Sequence, residues 1–148
     1  MSRHNETLVR RFIQEIFTHK NIAALDGFLA PDYVDHFLPP ELPPGLEGNR
    51  RFFTSLFNAF PDLTYSLEDV FSAGDKVVCR DCISATHQGV YWGMPATGRR
   101  VSFTGICILR LRGDRLVEHW HEVDRLRLMQ QLTSRQELAA GTAIQSSR

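Results

Sequence analysis

The sequence carries no excess of charge: seventeen basic side chains balance seventeen acidic ones. That excludes the positive footprint with which proteins engage nucleic acid or an anionic membrane, and a hydrophobic small molecule is the better-matched partner. No apolar run approaches the roughly 20 residues needed to span a bilayer. The opening stretch, Met1 to Arg11, is charged and lacks the apolar centre of a secretion signal, so the expected address is the cytoplasm. Cysteine is scarce and odd in number, which excludes a disulfide framework. Cys79 and Cys82 have C-x-x-C spacing, but they fall in an alternating segment where residues three apart face opposite ways. Their thiols diverge, and no second pair is present for zinc. There is no Gly-x-Ser-x-Gly elbow for a nucleophilic serine. Gly105 and Gly113 are isolated rather than gathered in a phosphate loop.

What the chain does have is concentrated in Arg115–Arg125, RLVEHWHEVDR. At period two it separates into Val117, His119, His121 and Val123 on one face and Glu118, Trp120, Glu122 and Asp124 on the other. Such alternation predicts a half-buried β-strand. Valine at both ends of the first face turns it inward and sets two imidazoles on an apolar wall. Buried without partners they would be costly, so they call for hydrogen bonds, a wet cavity or a ligand.

At 148 residues the chain is long enough for one domain with a real core, expected over 1–133, with a polar tail over 134–148. Asn5 is placed to cap a helix whose stripe includes Leu8, Phe12 and Ile16. A shorter helix is predicted over Ile22–Leu29, ending before Pro31. Asp32–Phe37 reads as a compact turn or a short extended piece. Four prolines and two glycines make a loop of Leu38–Gly48. A third helix starts near Glu47, and its Phe52, Phe53, Leu56 and Phe57 form either a core stripe or a pocket wall.

From Leu63 the period changes to two. Leu63, Tyr65, Leu67 and Phe71 share a face, and Gly74-Asp75 turns the chain. In Lys76–Gly89 the odd positions are apolar except Asp81 and His87, and a carboxylate among valine, isoleucine and alanine needs a reason. Arg99–Arg112 presents Val101, Phe103, Gly105, Cys107 and Leu109 together. Gly113-Asp114 closes a hairpin whose loop is two or three residues. A three-residue loop joins the apolar faces, with Cys107 opposite His119 and Gly105 opposite His121, leaving open space beside His121. Leu126, Leu128, Met129 and Leu132 return to helical spacing. The fold class is α+β, with N-terminal helices packed on a curved antiparallel sheet of four or more strands around a pocket. Ile106, Ile108 and Trp120 on the outer sheet face suggest a homodimer.

Tyr33-Val34-Asp35-His36, Phe60-Pro61-Asp62-Leu63, Thr86-His87-Gln88-Gly89, Gly93-Met94-Pro95, Thr97-Gly98-Arg99-Arg100-Val101 and Leu116-Val117-Glu118-His119-Trp120 resemble the SnoaL-like polyketide cyclase (ester cyclase) group. The likeness runs from about Glu6 to Leu132. It implies the cone of the nuclear-transport-factor-2-like superfamily, no cofactor, and a hydrophobic polyketide-type substrate closed into a ring by intramolecular aldol condensation. It also implies an acid/base aspartate on the last strand, two places after a histidine. That position is His121 in this chain, and a further family histidine matches Cys107.

The candidate catalytic residues are His121, His119 and Asp81, with an imidazole near its working pKa oriented by a carboxylate. Tyr33, His36, Phe52, His87, Phe103 and Cys107 are candidate substrate contacts. Four alternatives stand beside this reading. Asp81 could satisfy Arg80, Arg110 or a histidine in a purely structural network. The histidines and Asp81 could bind a metal. The same fold hosts cofactor-free hydroxylases and isomerases, and also binders that perform no chemistry.

Overall fold

The computed structural model describes residues 2–133, so the expectation for the 134–148 tail lies outside the described residues. Helix α1, Ser2–Ile13, runs into a wide turn over Gln14–Thr18 that carries Ile16 and Phe17 into the core. The stripe read from the sequence is the buried one, with Leu8, Val9, Phe12 and Ile16 sealed from solvent. Full burial of a side chain such as Ile16 contributes about 1.5–3 kcal/mol. The predicted second helix divides into a short 3-10 turn over Ile22–Ala24 and α2, Leu25–Phe28. Helix α3 spans Leu46–Ala59, and α4 spans Arg125–Leu132, with Asp124 accepting the Arg127 N–H at its start. Among the described residues no helix is long and apolar enough to cross a membrane.

The sheet has five strands: β1 Leu29–Asp35, β2 Thr64–Ala73, β3 Lys76–Thr86, β4 Arg100–Arg112 and β5 Arg115–Val123. Their order is β1-β5-β4-β3-β2. Asp32–Phe37 is therefore mostly strand, and the sheet is not wholly antiparallel, because β1 pairs β5 in parallel. Pro31 is tolerated there because β1 is an edge strand with one unpaired side.

Two bulges correct the sequence reading. In β2 the register shifts between Leu67 and Asp69, so the inward face passes to Val70 and leaves Phe71 more than half exposed. In the β4–β5 hairpin, Arg112 pairs with Arg115 across a two-residue turn, which alone would set inner face against outer. The register then shifts at Val117, the extra residue between the Leu111–Leu116 and Arg110–Glu118 pairs. The extra residue restores the match of apolar faces but moves each histidine along. Cys107 lies opposite His121 and Leu109 opposite His119, while Gly105 lies opposite Val123. The bulge also buries both Leu116 and Val117. On the outer face Ile106 is half exposed, and Trp120 stacks on His36 at 5.2 Å.

Candidate active site

Both strand histidines face inward, under α1 and α3, and each ends a short chain of polar side chains. In the first chain Tyr65 Oη donates to Asp81 Oδ2 at 2.5 Å, and the same oxygen lies 3.0 Å from His121 Nε2. Neighbouring strands bring this about: Asp81 comes from β3, Tyr65 from β2 and His121 from β5, with β4 between. The crossing needs a gap in β4, and Gly105 supplies it. A Cβ there would stand 2.7 Å from His121 Nε2 and 2.8 Å from Asp81 Oδ1. The space expected beside His121 exists, although it comes from a diagonal neighbour rather than a directly opposed one.

Gly105→Ala is therefore expected to push His121 away from Asp81. The third close atom is the Glu122 carbonyl oxygen at 3.0 Å, which belongs to the backbone and cannot swing aside. Overpacking of this kind costs about 1–3 kcal/mol. Thermal denaturation together with a rate assay would register it; a variant that kept both stability and rate would show that the gap has no function.

In the second chain Tyr33 Oη donates to Asp35 Oδ2 at 3.2 Å, and Asp35 Oδ1 lies 3.0 Å from His119 Nδ1. Oδ1 also accepts the Phe37 N–H at 2.9 Å, which turns Phe37 over the histidines. The Phe37 ring sits 5.0 Å from that of His121, and the two imidazoles are 5.6 Å apart. Burial disfavours charge on His119, but hydrogen bonds to Asp35 and Cys107 outweigh it, and the pKa is raised to about 9. Burial likewise opposes charge on Asp35, and the His119 pairing prevails there too, lowering its pKa. Burial and the adjoining Asp35 push the Tyr33 phenol well up, so it remains a donor. His119 is thus an imidazolium at neutral pH. The hydrogen bonds of His121 to described residues end at Nε2, which leaves Nδ1 uncommitted.

The pairing has a pH signature. Because the His119 pKa is raised above the usual 6.5, its stabilisation is complete below that value and is lost as pH climbs through about 9. The contribution of Asp35, whose pKa is lowered, is lost only as pH falls through that depressed value. In Asp35→Asn the forces raising the His119 pKa are mostly gone and burial remains. Its titration by NMR should then fall from about 9 to below 6.5. The stability lost between those two pH values should also vanish. An unchanged midpoint would mean that Asp35 does not hold the charge.

Two adjoining spaces, about 40 and 70 Å³, are enclosed between these chains and the helices. His119, His121, Asp35, Asn49, Phe17 and Phe53 line both. Tyr33 and Cys107 line the first, and Phe52 and Phe103 the second. A hydrogen bond with the neighbouring Cys79, together with burial, pushes the Cys107 thiol up, so it stays protonated. An open groove of about 800 Å³ between α1 and the β4–β5 turn shares none of these residues. Its His4 and His19 are exposed and paired with Asp114 and Glu15.

Of the expected contacts, Tyr33, Phe52, Phe103 and Cys107 reach the cavity, and His36 and His87 do not. His36 is held on the outer sheet face by Glu118 at 2.7 Å and by Trp120, and Phe37 occupies the mouth instead. His87 is fully buried behind Phe60, where its Nδ1 meets Thr97 Oγ1 at 3.0 Å. Burial lowers its pKa, which suits a neutral anchor for the loop that follows. Asp81 pairs with neither Arg80 nor Arg110; those arginines bind Asp69 and Glu118. Among the described residues no three histidine, cysteine or carboxylate side chains are grouped as metal ligands would be.

Sequence reasoning missed Asp35 as a site residue, and Tyr65 and Asn49 with it. The signal for Asp35 was its shared face with Tyr33 in a three-residue alternation, too short to establish a strand. Asn49 is buried on α3 with Nδ2 donating to the Gly45 carbonyl, and helical spacing gave it no distinction.

Among solved structures the chain is similar to TsrD of Streptomyces laurentii. Identity is 30%, the TM-score is 0.80, and the match covers 88% of this chain and 96% of that one. A candidate polyketide cyclase from Acidithiobacillus ferrooxidans matches at 32% identity and a TM-score of 0.77, over 87% and 94% of the two chains. IdmH of Streptomyces antibioticus, another candidate polyketide cyclase, matches at 32% identity and a TM-score of 0.70, over 82% and 94%. No curated protein matches this chain. The model of the SnoaL-like polyketide cyclases matches residues 7–132, nearly the whole described fold, and the chain belongs to that family.

Proposed function

We propose that this protein is an acid–base enzyme that closes a ring in a hydrophobic, polyketide-type aromatic substrate by intramolecular aldol addition. The observation that carries the reading is the Tyr65–Asp81–His121 chain, which commits Nε2 of a cavity-lining imidazole to a buried carboxylate and leaves Nδ1 without a partner among the described residues. With Nε2–H donated to Asp81, the lone pair on His121 Nδ1 takes a proton from the carbon beside a substrate carbonyl. The C–H electron pair becomes an enolate, whose negative oxygen is stabilised by the neighbouring His119 imidazolium, 5.6 Å away ring to ring. The enolate carbon then forms a bond to a second carbonyl carbon of the same molecule. The resulting alkoxide recovers the proton from His121 Nδ1–H, so the product is an isomer of the substrate. A histidine with a carboxylate behind it, on β3, here does the work that the family assigns to an aspartate on the last strand.

The test is incubation with anthraquinone esters bearing a ketone side chain, followed by chromatography and mass spectrometry. The proposal expects a product of unchanged mass that has lost a ketone. A product that had gained one oxygen atom would make the protein a hydroxylase. Tight binding without any product would make it a carrier.

A further inference from the structure

We propose that the cleft between the Phe37–Leu42 segment and the turn carrying Trp92 is an outer substrate subsite. It would bind the planar, oxygenated ring system while only the reacting end of the molecule enters the cavity. This rests on the reading of His121 given above, and three observations carry it.

The first is size. The inner spaces of about 40 and 70 Å³ fall well short of the roughly 300–1,000 Å³ of pockets that enclose drug-sized ligands. Two clefts of about 250 and 450 Å³ lie immediately outside. Phe37, Phe52, Leu56 and Tyr91 line the inner space and one or other cleft, so inner and outer spaces adjoin.

The second is the turn itself. Tyr91 and Met94 exchange both backbone hydrogen bonds, at 3.0 and 2.9 Å, across Trp92 and Gly93. Both central residues have positive φ, 50° at Trp92 and 74° at Gly93. A tight turn of this kind favours asparagine, aspartate or glycine, and a bulky residue there is strained. Tryptophan at its first central position is a cost to stability, and such costs gather at ligand clamps. The strain is held from below, since Gln88 and Gly89 both donate to the Ala59 carbonyl and His87 ties the base of the loop to Thr97 and Arg99.

The third is what the strain presents. Trp92 is 54% and Val90 67% exposed, an apolar patch rimmed by polar groups. Tyr91 stacks beside the indole at 5.5 Å, and the Arg125 guanidinium lies 4.2 Å from its centroid. Among the described residues Arg125 enters no ion pair, and it lines the 450 Å³ cleft with Phe37, Pro39, Pro40 and Glu41. Flat proline faces opposite an indole suit a planar ring, and a guanidinium with no carboxylate partner among the described residues suits a carboxylate or phenolate on it.

The experiment uses two anthraquinone probes without an enolisable side chain, one carboxylated and one neutral, and measures binding by calorimetry. Trp92→Asn keeps the turn chemistry and removes the indole. It should weaken both probes about tenfold, the scale of one aromatic stacking contact, without lowering the melting temperature. Arg125→Gln should weaken the carboxylated probe several-fold and spare the neutral one. His121→Ala should bind both as the wild type does, so a failure of the catalytic assignment leaves this result intact. Unchanged affinity in Trp92→Asn, or weakening confined to His121→Ala, would place the ring system inside the cavity and overturn the subsite.

Discussion

Replacing His121 with alanine is expected to lower turnover by ~10²–10⁴-fold, the usual contribution of a positioned acid–base group. Among the described residues His121 Nδ1 has no hydrogen-bond partner, a carboxylate is fixed behind Nε2, and the ring lines the cavity. His119 cannot take over, since Nδ1 is committed to Asp35 and its pKa of about 9 keeps it protonated at neutral pH. Turnover at the wild-type rate would remove His121 from the mechanism. A loss of rate accompanied by unfolding would not count, so the melting temperature is measured on the same preparation. The folded state should survive, because the His121 side chain borders a cavity rather than a close-packed core.

Asp81→Asn should cost at least ~10²-fold in rate while stability changes by no more than ~1–3 kcal/mol. Asp81 is fully buried, and among the described residues Oδ1 has no hydrogen-bond partner. A residue selected for stability alone would not leave that oxygen unmatched in the middle of a strand. The amide retains the shape and one accepting oxygen for Tyr65, but the negative charge that orients the His121 Nε2–H is gone. The alternative of a purely structural aspartate predicts the reverse, lost stability with full activity in the molecules that remain folded. Rate and melting temperature from one preparation separate the two.

Much of this site could be read from residue order, and what could not follows from local backbone events. Period two placed His119, His121, Asp81, Cys107 and Phe103 on one inner surface, because alternation in a half-buried strand is a strong constraint. Gly105 stood out for the same reason, as a missing side chain on an apolar face. The partner of each histidine was harder to see. Which residues meet across β4 and β5 depends on the single extra residue at Val117, and no pattern in the sequence announces a bulge. A second bulge, between Leu67 and Asp69, exchanged Phe71 for Val70. Asp35 escaped because β1 pairs β5 in parallel from a distant part of the chain, through a segment containing Pro31. His87 satisfied the alternation and still left the site. It lies one residue past the end of β3, where Thr97 and Phe60 enclose it.

The most direct test is exchange of the substrate's α-proton in deuterium oxide, followed by NMR on an anthraquinone ester bearing a ketone side chain. Exchange needs only proton removal at the carbon beside the carbonyl and does not depend on how the ring closes. The wild-type protein should exchange that proton, and Asp81→Asn and His121→Ala should slow exchange by at least ~10²-fold. Exchange at the wild-type rate in His121→Ala, with the protein folded, would contradict the assignment of this imidazole as the base.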